Sequence, residues 1–474
     1  MAIATAGCAT NPATGKNMAV GVVSNAGEAE TGREQNPAVL EAFGGAFDAA
    51  ALQSYVNDVG QKVAAQSERR GIRYTFTILD TPTVNALAIP GGFIYVTRGL
   101  LALVNDESEL AGVLGHEVGH VAAMHHAQAQ ARQTAGRIGG MAGSSVFGRS
   151  PLSRVTQVAA LDYAQSFSRD DEYEADTLGI RYAAKAGYDP RSMATFLATM
   201  REYARLEAIM AGRPADSVDK LDYMSTHPTA ADRFTRALAE ASGQVPAKPI
   251  VGRKIYLGKI DGLLYGESPA QGFIRGRVFE HPIARIRFEV PQGFELFDTA
   301  DRVFGIGPSG SLIVFDGALD QSGLSITDYL TQVWAKGAFL QDVRQGDMNG
   351  LEGATGTLMI PTERGPMNVR LVVFRVDATH IYRLRFESPP SMTAQLGPGF
   401  AKTTASFKML SAAEAAALKA RTIKIITIAN GDTIGGLARR LPFEDYKLER
   451  FRMLNALAPG RQITPGQQLK LVVQ

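Results

Sequence analysis

The densest chemistry in the chain sits in Leu114-Gly115-His116-Glu117-Val118-Gly119-His120. On an α-helix, residues four apart share a face, so the imidazoles of His116 and His120 would stand about 6 Å apart on one side. That pairing suits two ligands of a tetrahedral Zn²⁺. Glu117 lies one residue on. It is placed to reach a water on the metal rather than the metal itself, the position of a general base. Gly115 and Gly119 each cost about 1 kcal/mol relative to Ala in a helix interior. Their presence predicts a second element packed closely against this helix. On a continued helix, His125 and His126 project about 180° and 280° from His116. They are expected at the surface or behind the ligands, missing the site.

A catalytic zinc needs a third protein ligand and an open fourth position. The segment Ser168–Asp176 offers Asp170, Asp171, Glu172, Glu174 and Asp176. Glu172 and Asp176 fall at i and i+4 on one helix face. Glu172 can then bind the metal while Asp176 accepts a hydrogen bond from a ligating histidine. Spacing alone leaves Glu174 and Asp171 open as ligands. A run of acids is also what a solvated helix face looks like.

Composition narrows the chemistry further. The chain has one cysteine, Cys8, and seven histidines. Intrachain disulfides and cysteine-based zinc knuckles are excluded, so any metal must be held by His and carboxylate. Lys plus Arg number 49 against 47 Asp plus Glu, a net charge of +2. That balance argues against a dedicated nucleic-acid binder. The apolar fraction of 45% over 474 residues supports sizeable cores, and about 100–200 residues per domain predicts three of them. No run of eighteen apolar residues occurs, so no spanning helix is expected.

The elements that must position these residues are mostly helical from Gln35 to about Gly243. Leu52, Tyr55, Val56, Val59 and Val63 fall at helical spacing. Tyr74 to Leu79 and Phe93 to Thr97 read as strands. One helix is expected from about Glu107 to Arg132, another pattern from about Val155 to Ala186, and a third opening at Asp189-Pro190. After a linker at Gly243 to Gly252, strands are expected at Arg285 to Val290, Gly310 to Phe315, Gly353 to Ile360, Val369 to Val376 and His380 to Glu387. Two helices interrupt them, one opening at Ser325 and one over about Gly399 to Met409. Ser411 and Glu414 form a capping box. His281 and His380 lie among these strands and read as structural.

The chain from about Glu34 to Arg236 resembles the gluzincin metallopeptidases of the CAAX-prenyl-protease-like group, in particular its soluble periplasmic BepA-like and HtpX-like branch. Four separated features carry the likeness. They are HEVGH at 116–120, the pair Glu172/Asp176 followed by Gly179, NALAIPGGFIYVTRGLL from Asn85, and His227-Pro228 with Arg233. The resemblance implies Glu172 as third ligand and Asp176 as the partner behind it. It implies that Phe93 to Thr97 is an edge strand to which an extended substrate adds by main-chain pairing. Asn85, Gly91, Gly92, Phe93, Ile94 and Tyr95 would then bind substrate. A histidine at the position of His227 can plug the fourth coordination site or help stabilise the transition state. Arg233 can stabilise the oxyanion or pair with a nearby carboxylate.

Two flanking features complete the reading. Thr5-Ala6-Gly7-Cys8 resembles the end of a bacterial lipoprotein signal, with Cys8 as the lipidated residue. Thr422 to Val473 resembles a LysM module, which implies a small βααβ unit and contact with peptidoglycan. The charged stretch Arg439 to Arg452 leaves protein docking as the alternative. The middle segment faintly resembles the MOG/PsbP-like fold.

The expected fold is multidomain α+β. A leader or tether covers 1–32. A mostly helical zincin-type metallopeptidase domain with a small sheet covers 33–243. An antiparallel α+β accessory domain covers 253–410, and a LysM-like domain covers 422–474. The expected function is a one-zinc endopeptidase acting on misfolded or stalled cell-envelope proteins in the periplasm, in envelope quality control. The alternative is a chaperone-like protein that binds peptidoglycan or an assembly machine and keeps a latent, His-plugged protease site.

Overall fold

The computed structural model describes residues 9–18, 24–138, 167–219, 232–299, 302–362 and 365–474. Cys8 and His227 lie outside them. The described residues divide into two compact units. The first takes in the residues up to 138, 167–266 and 421–474; the second takes in those of 267–420. Both mix helices and sheets, so the chain is α+β.

After a short ribbon of Ala9–Thr10 and Asn17–Met18, the first unit continues with α1 (Asn25–Ala42) and α2 (Ala50–Ala64). A small sheet follows, made of β1 (Thr75–Leu79), β2 (Ala86–Ile89) and β3 (Phe93–Thr97). The helices α3 (Arg98–Leu103), α4 (Glu107–Ala123), α5 (His125–Ile138), α6 (Arg169–Lys185), α7 (Ser192–Met210) and α8 (Arg233–Ser242) complete its larger part.

Strand alternation sends residues to opposite faces of the sheet. Leu79, Leu87, Ile89 and Tyr95 pack with Val39 of α1 on one face. Phe76, Ile78, Ala86, Ala88, Ile94 and Val96 join α2 and α4 in the main core on the other. The strand order is β1-β3-β2. Phe93–Thr97 is therefore the middle strand, not the edge expected from the sequence. Parallel pairing to β1 uses one of its sides, and the hairpin through Gly91-Gly92 pairs β2 on the other. The two edges are Thr75–Leu79 and Ala86–Ile89.

The helix around HEVGH is also shorter than expected. Met124 adopts a left-handed conformation at φ 59° and ends α4 there. Its last carbonyls are satisfied from outside. Asn11 and Gln128 donate to Ala123 O at 2.8 and 2.7 Å, and Arg69 donates to Val121 O at 3.0 Å. At the start, Asp106 caps α4 by accepting from the Glu109 N–H at 2.8 Å. The expected helix start at Asp189 moves to Ser192, because Asp189 Oδ1 accepts from Arg191 N instead of capping.

The second unit is built on a seven-stranded antiparallel sheet. In spatial order its strands are Glu295–Asp298, Arg302–Ile306, Leu312–Leu319, His380–Ser388, Gly365–Arg375, Leu351–Thr362 and Gln341–Met348. Its long helix is Thr393–Ser406 with Pro398 inside, rather than the expected helix from Gly399.

In the C-terminal segment, strands Arg421–Thr427 and Gln468–Val473 pair antiparallel. Helices Ile434–Ala438 and Lys447–Leu454 lie between them. This βααβ segment shares the core of the first unit. The Lys470 Nζ is fully buried and donates to Ala102 O, Leu103 O and Val104 O at 2.7–2.9 Å, at the end of α3.

Candidate metal centre

Helices α4 and α6 cross at glycines. A Cβ placed on Gly115 would sit 2.9 Å from Gly179 O, and one on Gly119 would sit 3.0 Å from Ala175 O. The close partner that Gly115 and Gly119 predicted is thus α6, the helix that carries the acids. The approach is tight enough to bring side chains of both helices onto one point.

That point is defined by His116, His120 and Glu172, whose ligand atoms all lie within 4.8 Å of one another. All three residues are buried. His116 Nε2 and His120 Nε2 approach to 3.0 Å, and each lies 3.5 Å from an oxygen of Glu172. Metal–ligand distances of about 2.0–2.1 Å give a tetrahedron with edges of roughly 3.3–3.4 Å. The donor set and its spacing therefore fit one zinc ion held by two imidazoles and a carboxylate.

The local charge fits as well. Glu117, Glu172 and Asp176 are buried carboxylates and Arg233 is the buried cation beside them. Formally the acids exceed the base by two charges, matching one divalent cation. Burial alone would push the His116 imidazole down, but hydrogen bonds and charge from Asp176 and Glu172 raise it to about 10. The surroundings favour positive charge at this point.

The structure separates the acids that spacing left open. Asp171 closes a capping box with Ser168 and pairs with Arg132 at 2.7 Å. Glu174 pairs with Lys16 at 2.7 Å and His125 at 3.2 Å. Glu172 is the acid facing both histidines. Asp176 Oδ1 receives the His116 Nδ1 side at 2.9 Å. Burial would raise the Asp176 carboxyl, yet the Arg233 charge and the His116 bond hold it below the usual range. Arg233 grips Asp176 through Nε and Nη2 at 2.8 and 2.7 Å and reaches Glu172 through Nη1 at 3.0 Å. All three guanidinium nitrogens engage carboxylates, which is a bracing arrangement. Glu117 is buried on the same turn of α4 as His116.

The residues expected to hold substrate lie along the β2–β3 hairpin. Gly91 and Gly92 form the β2–β3 turn at φ 84° and 86°. A Cβ on Gly91 would lie 2.6 Å from Ala29 Cα of α1. Phe93 packs against α1, and the Tyr95 hydroxyl donates to Asn36 Oδ1 at 2.7 Å. Ile94 enters the main core. The Asn85 backbone is bonded to Thr97.

Of the two places expected for His125, the surface or behind the ligands, the structure gives the second, while Phe167 was not foreseen from the sequence. His125 is fully buried and its Nδ1 lies 2.9 Å from His120 Nδ1. The break at Met124 returns it to the site, so the angle computed on a continuous helix does not apply. Phe167 stacks on the His120 ring at 4.0 Å between centroids. His281 and His380 belong to the second unit; His380 pairs with Asp377 at 2.9 Å.

The sequence pattern described as Peptidase family M48 matches residues 50–241. A protein named putative beta-barrel assembly-enhancing protease from Vibrio cholerae is 29% identical over 206 residues, covering 42% of this chain and 40% of that protein. The mitochondrial metalloendopeptidase OMA1 of Arabidopsis thaliana is 33% identical over 203 residues, covering 42% and 38%. The chain spans about two fifths of the length of these relatives. Among solved structures, cyanobacterial PsbP from Synechocystis sp. PCC 6803 is 11% identical, over 29% of this chain and 98% of that one, with a TM-score of 0.24.

Proposed function

We propose, on the premise that residues 50–241 are a Peptidase family M48 domain, that the chain is a zinc endopeptidase. The observation that carries this reading is the convergence of His116, His120 and Glu172 beside Glu117 in one buried cluster. Those three residues would hold the ion, which when bound acidifies water and polarises the scissile carbonyl. Glu117 takes a proton from the attacking water as its oxygen joins the carbonyl carbon. The same carboxyl then delivers that proton to the amide nitrogen as the C–N bond breaks. Asp176 and Arg233 hold His116 and Glu172 in place. Arg233 acts here as a brace rather than an oxyanion donor. His227 keeps its proposed part as plug or transition-state partner.

Extended polypeptide would pair along Ala86–Ile89, the sheet edge next to α4, a mode tolerant of varied sequence. The substrates proposed are misfolded or stalled envelope proteins, in keeping with the name of the Vibrio cholerae relative. Among the described residues no helix is long and apolar enough to cross a membrane. The site of action proposed is the periplasm, with Cys8 as a lipid anchor to the outer membrane. The zincin-type fold of 33–243, the accessory role of 253–410 and the LysM-like character of 422–474 belong to the same reading. Peptidoglycan contact through 422–474 predicts that the full chain sediments with purified sacculi. The catalytic reading is tested on unfolded casein, wild type beside Glu117→Gln. Zinc-dependent cleavage that falls about 10²–10⁴-fold in the variant is expected; equal rates would sink it.

A further inference from the structure

We infer that His125 is a positioning residue for the metal ligand His120, through a one-way hydrogen-bond chain that ends on the amino-terminal segment. The inference rests on the zinc reading above. His120 turns Nε2 toward His116 and Glu172, at 3.0 and 3.5 Å. A neutral imidazole has one N–H and one lone pair, so a ring that offers Nε2 to a metal carries its proton on Nδ1. His120 Nδ1–H therefore donates to His125 Nδ1, 2.9 Å away. His125 must then carry its own proton on Nε2, where Glu174 Oε2 accepts it at 3.2 Å. The other Glu174 oxygen accepts from Lys16 Nζ at 2.7 Å. Each proton position is forced by the neighbour before it.

The two metal histidines are thus oriented differently. His116 meets a carboxylate directly, Asp176 at 2.9 Å. His120 meets an imidazole, with the carboxylate one residue further out. Full burial of His125 keeps water from replacing it as acceptor. Phe167, stacked on the His120 ring at 4.0 Å, supplies packing but no acceptor. The Lys16 end is solvent-exposed and contributes least. Asn11 fixes this segment beside the site by bonding both Ala123 O and the N–H of Ala13 at 2.8 Å.

Loss of such a partner typically weakens metal binding about 10- to 100-fold. The test titrates the metal-free full chain with zinc against a chromophoric chelator. His125→Phe keeps an aromatic ring without an acceptor and is expected to lose affinity in that range. His125→Asn places an amide oxygen near the position of Nδ1 and is expected to recover most of it. Wild-type affinity in His125→Phe overturns the inference while leaving the zinc reading intact, and so does equal weakness of Phe and Asn. A wild-type chain that binds no zinc overturns both. Should His125→Phe not fold, as judged by far-UV circular dichroism, Glu174→Ala carries the test. A loss of about 10-fold is then expected, and unchanged affinity overturns the inference.

Discussion

The crossing of α4 and α6 makes Gly179→Ala a sharp perturbation. A Cβ there would stand 2.7 Å from His116 N, 2.9 Å from Gly115 C and 3.0 Å from His116 Cα. These are backbone atoms of a buried helix and cannot rotate aside. Restoring an ordinary contact of 3.4 Å requires the helices to part by about 0.7 Å. Overpacking of this kind costs about 1–3 kcal/mol, and Ala returns about 1 kcal/mol of helix propensity. The net loss of stability is therefore roughly 0–2 kcal/mol. The metal site is more sensitive. Glu172 rides on α6 and His116 on α4, so the same movement separates two ligands. Ligand distances tolerate shifts of about 0.2 Å, well under the displacement required. Zinc affinity is expected to fall at least about 10-fold while the protein stays folded. Urea denaturation of the metal-free chain reads the first quantity and chelator competition reads the second. Gly112→Ala is the control on the same helix. Its Cβ meets the Met193 side chain at 3.3–3.4 Å, which can give way. It should keep wild-type zinc affinity and gain up to about 1 kcal/mol. Wild-type zinc affinity in Gly179→Ala, or an equal loss in Gly112→Ala, would refute the reasoning.

Arg233→Ala leaves Asp176 and Glu172 buried without their cation. It should destabilise the chain by about 3–5 kcal/mol in urea unfolding, and Arg233→Lys should not restore it, because the side-on grip on Asp176 needs a guanidinium. Chelation should lower the thermal midpoint, and zinc at a hundred times its Kd should stabilise by about 2.7 kcal/mol in calorimetry. Lys470→Ala removes the donor to three carbonyls at the end of α3 and leaves a cavity. A loss of about 2–4 kcal/mol in urea unfolding is expected, which would show that the C-terminal segment supports the core of the first unit.

The ligand helix was legible because its chemistry is local. HEVGH sets two histidines one turn apart, and its glycines announce a close neighbour. The acids were legible as a group but not as individuals. Only the packing of α6 on α4 turns Glu172 inward and leaves Glu174 to His125 and Lys16. Which of its two expected places His125 takes was not legible, because the left-handed turn at Met124 has no sequence mark; non-glycine residues rarely adopt it. The position of Phe93–Thr97 within its sheet was misread because pairing with Thr75–Leu79 is non-local. Gln341–Met348 escaped notice for another reason. It is a polar, largely exposed edge strand, without the alternation that marks a half-buried one. The helix expected from about Gly399 instead opens at Thr393 and accommodates Pro398.

The central claim is that His116, His120 and Glu172 hold one catalytic zinc. X-ray absorption at the zinc edge of the purified full chain tests it most directly. One zinc per chain is predicted, with a shell of about four nitrogen and oxygen donors near 2.0–2.1 Å and the outer scattering of two imidazoles, reduced to one in His120→Ala. Substoichiometric zinc, or a shell without imidazole that is unchanged in His120→Ala, would contradict it.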